Sequence, residues 1–193
     1  MSPGGHLVTT ALACGALGAT TGSAALVAGV AVGGFLIDVD HAVDYVLFDG
    51  QRDLRPAKFL RYYLESRARY LVLVLHSYEL FALLGALAWW FEAPALVGYL
   101  LGGLMHLGLD IAFNGKLTPR NIWAFYSFTH RARHGFSAPA LLGETTRTST
   151  SQRFWVDFFR GGALPSSVTG RAKAGESSWP KSSRSSEMSS TTH

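Results

Sequence analysis

Apolar positions in this chain come in long blocks separated by polar stretches. Residues 7–37, 70–91 and 93–113 are almost wholly apolar, while 143–193 is polar. Blocks of about 20 apolar residues match a hydrocarbon layer of ~30 Å. The pattern therefore predicts an all-α integral membrane bundle of about four helices. Within the first block, Thr20-Thr21-Gly22 followed by Ser23 reads as a turn and an N-cap. Each half then has about fifteen residues, roughly 22 Å as helix. Both halves are rich in Gly, Ala and Thr, which suits close helix contact inside a membrane. A tight hairpin is expected, with one long helix over 7–37 as the alternative.

A third helix is predicted over 68–91, ending in Trp89-Trp90-Phe91 at an aromatic belt. A fourth covers 94–113, where Gly98, Gly102, Gly103 and Gly108 permit close packing. The connection 42–67 is polar, and its part Pro56–Leu64 mixes basic and aromatic residues as an interfacial helix does. A solvated helical loop is the alternative there. Residues 120–142 are expected to form a short amphipathic helix.

Length and charge refine this picture. The 193 residues suit one helical domain, 1–142, with a tail, 143–193, in which 19 of 51 residues are Ser or Thr. Such a tail is expected to be disordered, apart from the aromatic cluster Arg153–Arg160, which is suited to rest on lipid. All 17 basic residues lie in 52–69 or from 116 onward. Basic residues flanking apolar segments mark cytoplasmic loops, so both termini are expected inside. The same residues suit contact with anionic membrane lipid, and no nucleic-acid partner is expected. Residues 1–51 hold no Lys or Arg, which argues against a cleaved signal peptide. Cys14 is the only cysteine, so there is no intramolecular disulfide and no thiolate metal cluster; a packing role is expected.

The candidate chemistry is carried by ionisable residues in or beside apolar segments, where they are costly and usually functional. Ile37-Asp38-Val39-Asp40-His41 places two carboxylates and an imidazole after 31 residues without charge. His76 and Glu79 are spaced i,i+3, and His106 and Asp110 i,i+4, each pair sharing a face if helical. His6 begins the first predicted helix. If consecutive helices are antiparallel, all of these fall at one end of the bundle. The expected metal ligands are His6, Asp38, Asp40, His41, His76, Glu79, His106 and Asp110, with Asp44 as an outlier. This set exceeds what one tetrahedral ion needs, so two or three divalent ions, zinc first among them, are expected unless some residues only orient others. Asp40 or Glu79 is the candidate general base. His130-Arg131-Ala132-Arg133-His134 reads as a phosphate or headgroup patch, or as an exposed basic turn.

Gly5-His6-Leu7, Ile37-Asp38-Val39-Asp40-His41, His76-Ser77, Gly98-Tyr99-Leu100, His106, Asp110 and Thr118-Pro119 together carry a resemblance. Over about residues 4–125 the chain resembles the predicted membrane-bound metal-dependent hydrolases, a bacterial inner-membrane group that includes a protein described as LexA-binding. The family pattern often has a further His five residues before His76, where this chain has Leu71. That family is itself distantly similar to zinc-dependent phospholipase C, a helical protein with a three-zinc site. The resemblance implies a membrane-embedded, metal-dependent hydrolase of a phosphoester, with a phospholipid as possible substrate. Two other expectations compete: a metal or proton transporter lined by the same residues, and a non-catalytic membrane scaffold with a structural metal and a recruiting tail.

Overall fold

The computed structural model describes residues 1–114, 121–143, 150–151 and 153–161. Among these residues the chain is helical without a strand. The first apolar block folds as the expected hairpin, α1 (Pro3–Thr21) and α2 (Ala24–Gly34). Gly22 stops α1 at φ +64°, and the Ser23 hydroxyl accepts the Leu26 amide to cap α2. After a 3-10 turn, Leu36–Asp38, come α3 (Val39–Val43) and a π-turn (Asp44–Phe48). Pro56 opens α4 (Pro56–Leu64). The remaining long helices are α5 (Tyr78–Phe91) and α6 (Pro94–Asn114). Shorter ones follow: α7 (Ile122–Phe125), α8 (Phe128–Arg133), α9 (Ala138–Leu142) and α10 (Phe154–Arg160).

The closest packing joins α2 to α6. A Cβ on Gly33 would lie 2.1 Å from the Tyr99 carbonyl oxygen, and one on Gly98 would lie 2.1 Å from that of Leu26. The two backbones touch directly, which only glycine allows. Below this seam sits the core of Ile37, Leu71, Leu73, Phe81, Leu107 and Tyr126.

The third predicted helix needs correction. Residues 70–77 are not α-helical: Leu73 sits at φ +45°, Val74–His76 form a 3-10 turn, and α5 begins only at Tyr78, capped by Ser77. A run such as Leu71-Val72-Leu73-Val74-Leu75 does not distinguish a buried extended segment from a helix. Side chains decide it here. Asp49 accepts the amides of Arg69 and Tyr70, Asp44 those of Val72 and Leu73, and Asp40 that of Leu75. The fully buried Arg131 donates to the carbonyls of Val72, Leu73, His76 and Phe125. Likewise 120–142 contains three short helices instead of one.

α10 packs on α1 and α4, so this part of the presumed tail is helical. The expectation of disorder for 144–149 and 162–193, and Thr118-Pro119, lie outside the described residues.

Among the described residues one helix, Pro94–Phe113, is long and apolar enough to cross a membrane. Ala24–Gly34 with Leu36–Phe48 passes the same test as a pair bent by 47°. α3 and its π-turn reverse the usual amphipathic pattern. Asp40 and Asp44 are 5% and 2% exposed, whereas Val39 and Leu47 are 54% and 71% exposed.

Candidate metal centre

Five parts of the fold supply the donors. His6 comes from α1, Asp38 from the turn after α2, Asp40 and His41 from α3, His76 from the turn before α5, and His106 and Asp110 from α6.

The two most buried imidazoles are each oriented from behind. His106 Nδ1 lies 3.0 Å from the Gly34 carbonyl oxygen. A carbonyl can only accept, so Nδ1 carries the proton and Nε2 presents a lone pair. His76 Nδ1 lies 3.0 Å from Asp40 Oδ2, which also accepts the Leu75 amide. In the neutral ring Nε2 is then likewise the lone-pair nitrogen, in the manner of a carboxylate-oriented metal ligand. These two Nε2 atoms are 3.3 Å apart, and each is 3.4 Å from Asp38 Oδ1. Three lone pairs at this spacing repel one another unless a proton or a metal cation lies among them.

Further donors surround the triangle. Asp110 Oδ2 is 3.4 Å from His106 Nε2, and Asp110 Oδ1 is 2.9 Å from His6 Nε2. His41 Nε2 is 3.7 Å from Asp38 Oδ1. Three overlapping groups could each hold an ion: His6–His106–Asp110, Asp38–His76–His106 and Asp40–His41–His76. The buried Nδ1 atoms of His6 and His41 have no hydrogen-bond partner. Burial alone would disfavour a charged His76; the carboxylates of Asp38 and Asp40 outweigh it and hold this imidazole's pKa up at about 9.

The centre has a closed back and an open front. A cleft of 470 Å³ is lined by His6, Asp38, His41 and Asp110, but not by His76 or His106. A bound cation would thus be held from behind by two imidazoles and approached from the cleft.

Seven of the eight expected ligands come together. Glu79 does not: its exposed carboxylate accepts the Ser127 hydroxyl and the amides of Phe128 and Thr129, capping α8. It follows the helix cap Ser77, so the i,i+3 pairing with His76 is not made on one helix. Asp40 is occupied by His76 and Leu75, and neither expected general base lines the cleft. Asp44 stands behind the site, bonded to the Val72 and Leu73 amides. The basic patch also needs correction, because Arg131 is 0% exposed and bonded to carbonyls.

Sequence reasoning missed Asp49, Arg131 and the cleft. The four-residue step from Asp40 to Asp44 was a signal that both acids share a face; nothing local marks Arg131. Compared with family models, curated proteins and solved structures, the chain matches none.

Proposed function

We propose that this chain is an integral membrane hydrolase, dependent on zinc, that cleaves a phosphoester carried by a membrane lipid. The observation that carries this is the triangle of His76 Nε2, His106 Nε2 and Asp38 Oδ1, with sides of 3.3, 3.4 and 3.4 Å, facing a cleft. A tetrahedral zinc with bonds of about 2.05 Å holds its ligand atoms about 3.3 Å apart. Three protein ligands and an open fourth position are the mark of a catalytic rather than a structural zinc site. His6 and Asp110, which group with His106 at the cleft side, would contribute to a second ion, the paired arrangement that suits phosphoester cleavage.

A bound zinc supplies Lewis acidity and a water that ionises near neutral pH. The protein's own groups do the rest. His41 lines the cleft with its Nε2 3.7 Å from Asp38 Oδ1, and would add a donor on the open side of the ion. Asp40 fixes the His76 tautomer, and the Gly34 carbonyl fixes that of His106.

Membrane residence is supported by the length of α6, the apolar outward faces of α3, α5 and α6, and the buried acids of α3 and its π-turn. The basic clusters at 52–69 and from 116 onward support a cytoplasmic position for the centre, with both termini inside. All donors gather at one place, whereas a transport path needs them at successive depths; this favours the hydrolase over the transporter.

The test is metal content together with phosphodiester and phosphomonoester hydrolysis by protein extracted gently into detergent. Stoichiometric zinc, lost with activity in His76→Ala and His106→Ala, is expected. Protein that stays folded yet holds no divalent metal overturns the proposal.

A further inference from the structure

The cleft in front of the centre has two chemically distinct parts. Its floor holds His6, Asp38, His41 and Asp110. Its walls are hydrocarbon, from Phe35 and Leu36 after α2, Phe59, Leu60 and Leu64 on α4, and Phe158 on α10. No Lys or Arg lines it, and the one ammonium that does, at Met1, is already committed to Asp110 Oδ1. The one hydroxyl among the lining side chains, Tyr63, is already committed, donating to the His41 carbonyl at 2.6 Å.

A phosphoester of a sugar or nucleoside would bury hydroxyls and ring nitrogens against these walls with nothing to bond them, which is costly. A hydrocarbon chain meets the walls without that loss. Its route in is also apolar, because Leu36 and Val39 line the cleft and are exposed on the molecule's outer surface. The volume, 470 Å³, lies within the range of about 300–1,000 Å³ typical of small-ligand sites.

We infer that the cleft between α3, α4 and α10 binds the hydrocarbon chain of the substrate, so that the substrate is a lipid phosphate with no sugar or base beside the phosphate. The inference rests on the metal centre proposed above and adds what recognises the rest of the molecule. The floor and its metal hold the phosphate, and the walls read chain length. Each methylene buried is expected to tighten binding about fourfold until the cleft is full.

The experiment uses the zinc-loaded full chain in lipid nanodiscs, with empty nanodiscs subtracted. The probes are inorganic phosphate and n-alkyl phosphates from butyl to dodecyl. Affinity should climb by about fourfold per methylene and then level off. Phe158→Ala, which lengthens the cleft, should move the plateau to longer chains. Ala42 on α3 also lines the cleft, and Ala42→Trp, which fills it, should flatten the series while zinc stoichiometry is kept. The moved plateau is a gain that misfolding cannot mimic. A flat series on zinc-loaded protein overturns the chain cleft and leaves the metal centre standing. A rising series on protein that holds no zinc has the opposite meaning: the cleft stands and the hydrolase proposal falls. Glucose phosphate or a nucleoside monophosphate bound as tightly as octyl phosphate also overturns the inference.

Discussion

His106 and His76 reach the same triangle by opposite routes. Along the α2–α6 seam, side chains have been removed: Gly33 and Gly98 let two backbones touch, and the Gly34 carbonyl is left close enough to orient His106. Around residues 69–76 side chains have been added. Asp40, Asp44, Asp49 and Arg131 take up the polar groups of a segment that has no strand partner beyond one bridge at Tyr70. One imidazole is placed by contact, the other by a network of charged hydrogen bonds. A contact has no slack and fails as a whole; a network has several members and is lost in steps.

Four substitutions break this contrast, in descending order of effect. Gly33→Val should be the most severe, because its side chain would enter the Tyr99 carbonyl. A loss above about 5 kcal/mol, outside the usual range for one substitution, is expected, seen as absence of folded monodisperse protein. Arg131→Gln leaves buried carbonyls without donors and should cost about 3 kcal/mol. It should fold at reduced thermal stability, with weakened zinc binding as His76 loosens.

Asp40→Asn is milder and more specific. Loss of a partner that orients a ligand typically costs 10–100-fold in metal affinity, roughly 1.4–2.8 kcal/mol. On the proposed function, zinc would have to displace the His76 proton, so with a pKa of about 9 zinc affinity should rise with pH up to that value and then level. The sign follows from the raised pKa: without metal, the protonated ring contributes stability fully below its unfolded pKa of about 6.5, and that contribution is lost as pH rises through about 9. Asp40→Asn should move the levelling point to lower pH, read by zinc titration across pH 6–10. An unmoved break would show that Asp38 alone holds the proton. Glu79→Ala should have the smallest effect. It removes a cap from α8, about 1 kcal/mol, and should leave zinc stoichiometry unchanged.

The same contrast explains what could be read in advance. Gly98 and Gly102 announce close packing, and the spacing of His106 and Asp110 within an uninterrupted apolar helix places both correctly. The hairpin at Gly22-Ser23 was equally legible, since turn and cap residues act locally. The 70–77 segment was not, because its partners lie 20 to 59 residues away in sequence. Its unbroken apolar run reads as part of a helix and so draws Glu79 into the site. Arg131 sat in a run of basic residues that reads as surface, and only the fold shows that it is enclosed.

The π-turn after α3 has a consequence for how this chain can change length. Asp40 and Asp44 are four residues apart, Asp44 and Asp49 five, and the wide turn closed by the Asp49 amide on the Asp44 carbonyl absorbs the difference. Excising one residue there, Leu47 for instance, would restore a four-residue step and an ordinary helical turn with all three acids still aligned. Excision between Asp40 and Asp44 would swing an acid out of line. Evolution, or a protein engineer, thus has one spot on this helix where a codon can come or go cheaply.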